Sequence, residues 1–143
     1  MKKNMSLLLV FFLLIGFSAC SLPAGDFGFS FSTANLTDPI MASDMENGMP
    51  VDAVTGYPQD APALIAVCIL NNAPDDTKIK VVWNYLTSPQ VIYEVEMDSE
   101  GKSGVYIYST LTSDELWPVG DYSVDMYIDT REEPDATVKF SVY

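Results

Sequence analysis

The sequence predicts an all-β protein, a single antiparallel β-sandwich of about seven strands behind an apolar leader. Three observations carry that prediction. From Phe27 onward the apolar residues recur with a period of two rather than 3.6. The alternating runs are separated by short clusters of Asn, Pro, Gly, Ser and Asp, which is turn chemistry. Behind the leader, no segment sustains a helical stripe. Short strands at this spacing build sandwiches.

The leader comes first. Lys2 and Lys3 precede the run MSLLLVFFLLIGF, and the small pair Ser18-Ala19 follows. A basic start, about a dozen apolar residues and small residues behind them form a secretory signal. The run is short for a membrane-spanning helix, which needs about 20 residues. Cys20 stands directly after the small pair, and the segment resembles the lipobox of bacterial lipoproteins. In that motif a leucine, two small residues and a cysteine mark the cleavage site; here Phe17 stands where leucine is commonest. The resemblance implies that residues 1–19 are removed as a signal peptide and that Cys20 becomes the acylated first residue. Residues 20–26 would then be a lipidated tether, and 27–143 the folded domain. Each buried acyl methylene contributes about 0.8 kcal/mol, so a multi-chain anchor is effectively permanent. At about 3.5 Å per residue, the tether keeps the domain close to the lipid. By the same resemblance, Ser21 rather than aspartate after the cysteine implies the outer membrane where a cell has two. The other reading of Cys20 is a disulfide with Cys68, its only possible partner in the chain.

The strands follow in order. Phe27, Phe29 and Phe31 alternate with Gly28, Ser30 and Ser32. Residues 31–57 are then the one long irregular stretch. Residues 64–70, LIAVCIL, are apolar on both faces, as a central strand would be. The next run places Ile79, Val81, Trp83 and Tyr85 on one side. Residues 90–97 place Val91, Tyr93, Val95 and Met97 inward against Glu94 and Glu96. VYIYSTL follows at 105–111, then a strand with Tyr122, Val124, Met126 and Ile128 on one face. The last aligns Ala136, Val138, Phe140 and Val142.

On these strands the chain resembles the immunoglobulin-like superfamily, fibronectin type III domains included. Cys68 lies on the second strand and Trp83 on the third, where that family places its core tryptophan. PVGDYSV on the sixth strand looks like the tyrosine corner, with Tyr122 as its corner residue. Val124 occupies the position of the second cysteine of antibody domains. The resemblance therefore implies no inter-sheet disulfide, and Cys68 as a small buried apolar residue.

Charge narrows the function classes. The chain carries 7 basic and 20 acidic residues, a net charge of −13. Without residues 1–19, which hold Lys2 and Lys3, 124 of the 143 residues remain, and five basic face twenty acidic ones, a net −15. Such a surface repels phosphate backbones, so nucleic acid is not an expected partner. There is no histidine, which removes the commonest general base and the usual transition-metal ligand. Cys68, between Val67 and Ile69, is too apolar a site for an activated thiolate. No catalytic residues and no cofactor are expected.

Binding candidates remain. Asp44, Glu46 and Asp52 lie in the long loop with Asn47 and Gly48, a weak calcium site whose spacing fits no EF-hand. The same residue types serve an ordinary turn. A second acidic group gathers at one end if the fold is immunoglobulin-like: Asp75 and Asp76, then Asp98 and Glu100, then Glu132, Glu133 and Asp135. Met41, Met45 and Met49 recur every four residues, as thioether ligands of Cu(I) or as gap-filling side chains. Tyr106, Tyr108 and Tyr127 fall opposite Val105, Ile107 and Met126, and so are candidates to anchor a protein partner or stack on a sugar. The expectation is a membrane-anchored, extracytoplasmic, non-catalytic protein-interaction module of the cell envelope. Its partners would be the membrane, through lipid on Cys20, and an envelope or extracellular protein. The alternative is a calcium- or glycan-binding surface lipoprotein.

Overall fold

The computed structural model describes residues 32–143. The expected signal peptide, Cys20, the expected tether and the alternating run at 27–31 lie outside the described residues.

What is described is all-β. Seven long strands are β1 (Asn35–Ala42), β6 (Leu64–Asn71), β7 (Lys78–Tyr85), β8 (Gln90–Asp98), β9 (Val105–Leu111), β10 (Gly120–Ile128) and β11 (Ala136–Val142). Four two-residue strands lie between the first two: β2 (Met45–Glu46), β3 (Met49–Pro50), β4 (Ala53–Val54) and β5 (Gly56–Tyr57). One sheet has the order β4-β1-β6-β9, a second the order β5-β11-β10-β7-β8, and β2-β3 form a hairpin. All pairings are antiparallel except β5 with β11, which is parallel.

The strand count is therefore eleven rather than about seven, and the stretch read as irregular holds all the additions. β1 escapes the period-two pattern because Asp38-Pro39 interrupts it. Asp38 has φ 51° and the register with β6 shifts by one residue between Thr37 and Ile40, a bulge that flips the alternation. Beyond it, Asn47 and Gly48 at φ 53° and 77° make the two-residue turn of the β2–β3 hairpin. The chain then pairs with one sheet as β4, passes Thr55, and pairs with the other as β5. Gly56 permits this crossing: a Cβ there would sit 3.0 Å from the Ser141 carbonyl oxygen.

Both sheets contribute to one apolar cluster. Leu36, Met41, Leu64, Ala66, Cys68 and Leu70 come from the first sheet, and Ile79, Trp83, Tyr122, Val124, Met126 and Phe140 from the second. Trp83 is fully buried, and its Nε1 donates to Ser109 Oγ on β9 at 3.0 Å, tying the sheets together. Phe140 stacks on Tyr122 at 5.1 Å and meets Tyr57 and Trp83 edge-on. Tyr122 donates from its hydroxyl to the Pro118 carbonyl, four residues back, at 2.6 Å. A second, smaller cluster explains why residues 64–70 are apolar on both faces. Ile65 and Val67 pack with Ala42 on the other side of the sheet, under Ile40 and Met45.

Candidate functional site

The sides of the molecule differ at the sheet edges. β4 and β5 are short edges on one side; β8 and β9 are long edges on the other, unpaired along their outer margins among the described residues. The exposed large apolar side chains include a group on these two strands, Val91, Ile92 and Tyr93 on β8 with Tyr106 and Tyr108 on β9.

Local sequence explains each position. β9 keeps an unbroken register with β6, so Ile107 and Ser109 point inward and Tyr106 and Tyr108 outward. These tyrosines are 40% and 48% exposed. On β8 the register with β7 slips between Tyr93, opposite Trp83, and Val91, opposite Asn84, leaving Ile92 as the extra residue. Val95 and Met97 reach the core as expected. Val91 does not: the bulge carries it to the outer face, 58% exposed, a correction to its inward assignment.

A groove of about 230 Å³ runs between the two edge strands, lined by Met97, Asp98, Glu100, Lys102, Ile107 and Tyr108 among others. A second, of about 250 Å³, lies where β8 begins, walled by Tyr85, Ile92, Leu116, Trp117 and Tyr122. Trp117 contributes a buried ring whose Nε1 is committed to the Ala61 carbonyl at 2.8 Å. The second groove combines apolar walls with the polar side chains of Gln90, Ser113 and Glu115.

The three candidate tyrosines are not one site. Tyr106 and Tyr108 share the outer face of β9, whereas Tyr127 lies on β10 in the other sheet, half-buried beneath Lys80. Lys80 Nζ is 4.6 Å from the Tyr127 ring centre, and the two residues are register partners. Burial, with Asp125, Glu133 and Glu94 nearby, pushes the Tyr127 phenol upward. The methionines are separated too. Met41 enters the main core, Met45 packs on the opposite face of the sheet, and Met49 is exposed.

The acidic candidates resolve into loop construction. Asp44 Oδ1 accepts from the Met45 amide at 2.7 Å, and the Asp44 and Asp52 carbonyls close the hairpin by accepting from Val51 and Ser43. At the other end, three loops do meet. The Ser99 amide donates to the Thr77 carbonyl, the Ala73 amide to Ser103 Oγ, and the Lys78 amide to Asp129 Oδ1. Three of their acids are engaged locally. Asp98 accepts from the Glu100 amide, Glu100 pairs with Lys102, and Asp135 takes the Ile128 amide and Arg131. Among the described residues, no three His, Cys, Asp or Glu side chains gather as a metal site. Cys68 is a free, buried thiol, pushed by burial from 9.0 to about 12.

Sequence reasoning missed Val91, Ile92, Tyr93 and Leu116 as surface residues; Tyr93, expected inward with Val91, is exposed. A bulge leaves no mark in an alternating sequence, and edge position depends on which strands pair.

No protein-family model and no curated protein matches the chain. Among solved structures, it is similar to the Pseudomonas fluorescens alkylpurine DNA glycosylase AlkC bound to DNA containing an abasic site analogue. That likeness has a TM-score of 0.47 and 8% identity, over 77% of this chain. The chain spans 30% of that protein's length.

Proposed function

We propose that this chain is a lipid-anchored, extracytoplasmic lipoprotein acting as a non-catalytic protein-interaction module of the cell envelope. The observation that carries the interaction role is the side of the molecule bounded by β8 and β9. Two long free edges lie there, with Val91, Ile92 and Tyr93 exposed along β8 and Tyr106 and Tyr108 exposed along β9. Exposed apolar groups of this kind suit protein docking. The anchor rests on the basic start, the apolar run and Cys20. The non-catalytic assignment rests on a chain without histidine and a sole described cysteine that is buried and protonated. The acidic surface argues against a nucleic-acid partner.

The fold belonging to this reading is an immunoglobulin-like β-sandwich. Supporting it are the core shared by both sheets, the central Trp83 and the bond from Tyr122 to Pro118. β8 pairs with β7 and not with β9, unlike the constant-type immunoglobulin arrangement in which the fourth strand joins the first two and the fifth. This favours the fibronectin type III-like variant.

Two measurements test the reading. Metabolic labelling with a fatty-acid analogue should mark the protein, and Cys20→Ser should remove the label. Cross-linking in whole cells followed by affinity capture should retrieve one protein in fixed ratio, linked through β8 or β9. An unlabelled wild-type chain would overturn the anchor, and recovery of polysaccharide without protein would overturn the interaction role.

A further inference from the structure

We propose that the free edge of β9 accepts an added strand from a partner protein, and that the accepted segment alternates apolar with basic residues. The proposal rests on the docking role just assigned and specifies its chemistry.

The two long edges are not equivalent. An edge strand presents a row of outward N–H and C=O groups that templates further pairing, and natural edges are blunted by bulges, charges or proline. β8 carries a bulge at Ile92 and three acids, Glu94, Glu96 and Asp98. β9, Val105–Leu111, has no charge, no proline and no glycine, and its register with β6 is unbroken. In a chain with 20 acidic residues, a seven-residue neutral edge is available for strand addition.

Placement of the added side chains follows from the pleat. Successive residues of a strand beside β9 face opposite sides. Those turned inward enter the 230 Å³ groove against Met97 and Ile107, which selects apolar groups. Those turned outward lie next to Tyr106 and Tyr108, about 4.5–5.5 Å away between Cβ atoms. The molecule already shows what suits a tyrosine in that setting. Lys80 sits on the strand beside Tyr127, register to register, with its ammonium 4.6 Å from the ring centre.

Charge points the same way. Asp98 and Glu100 line the groove, while Lys102 is engaged by Glu100 and the nearby Lys78 by Glu96. A basic segment would be drawn in by the acidic surface, whereas a second copy of this chain would bring its own acids to the contact.

The test uses the full chain in nonionic detergent and, as probe, a nine-residue peptide alternating valine and lysine. Hydrogen exchange should show the outward-facing amides of Val105–Leu111, those not bonded to β6, slowed about tenfold or more at saturation. The same peptide N-methylated at every second residue, which keeps its charge and side chains, should fail to bind, as should a valine–glutamate peptide. Tyr106→Ser with Tyr108→Ser should weaken binding by about tenfold, while exchange in β6 and β10 stays unchanged and shows the fold intact. Equal binding of the N-methylated peptide, or protection elsewhere than β9, would overturn the proposal. So would protection, without peptide, of the outward-facing β9 amides that β6 does not bond, the mark of an edge taken by a second copy or by this chain itself. If no alternating peptide binds and cross-linking still retrieves a partner in fixed ratio, strand addition fails and the docking role stands.

Discussion

The two sides of this molecule are built on opposite plans. On one, the chain leaves the first sheet as β4, turns at Thr55 and joins the second as β5, so one segment belongs to both sheets. Tyr57 donates from its hydroxyl to the Ala42 carbonyl of β1 at 2.6 Å, and Ser141 and Tyr143 bond to Thr55 and Tyr57. On the other side, residues 99–104 join β8 to β9 at one end, and along the rest of their length the two edge strands form no ladder with each other. The lesson is that closure here comes from a covalent crossing plus a few buried hydrogen bonds. Where the connection is a loop at one end and neither edge strand pairs further, the sheet margins stay available to other molecules.

The largest effect is expected where the closed side meets the core. Phe140 on β11 touches Tyr57, Trp83 and Tyr122, so Phe140→Ala leaves a cavity bordered by three rings. It should cost about 3–5 kcal/mol in urea unfolding. A loss similar to that of an exposed β8 residue would mean the closed side is no better packed than the open one.

Cys68 tests how far the open side reaches inward. It lies on β6 opposite Ile107 of β9, and Ile107 lines the groove. With the folded thiol near 12 against 9.0, the native state holds its proton while the unfolded state loses it. Stability is therefore whole below about pH 9 and falls as pH rises toward 12, by about 2 kcal/mol at pH 10.5. Cys68→Ala should flatten that decline in a series of melts from pH 8 to 10.5. A thiol reagent should label Cys68 only on unfolding; rapid labelling of the native protein would mean that the groove opens into the core.

The smallest effect belongs to the open edge. Val91→Thr, on the outer face of β8, should change stability by no more than about 0.5 kcal/mol by the same unfolding measurement. A cost well above that would show that Val91 is covered in solution.

Much of the fold was legible because period-two alternation is a local property. The runs at 64–70, 78–86, 90–97, 105–111, 121–128 and 136–143 lie where β6 to β11 are found. Trp83 and Tyr122 were recognisable by residue type and spacing, and both are buried in the core. Residues 35–57 were not legible. Their alternation is broken by a bulge at Asp38-Pro39, and their strands are two residues long, below the length at which a period can be seen. The site was half legible. Tyr106 and Tyr108 were found by parity on an unbulged strand, whereas Tyr127 has the same parity but belongs to the other sheet.

The sequence by itself determined the all-β class, the polarity of most strand faces, the acidic surface and the absence of histidine chemistry. Each is fixed by composition or by neighbours one or two residues apart. Only the tertiary structure decided that Thr55 is a crossing point, that Val91 turns outward and that β9 is an open edge. Those facts depend on which strand lies beside which, and hydrogen bonds between residues far apart in the chain set that order.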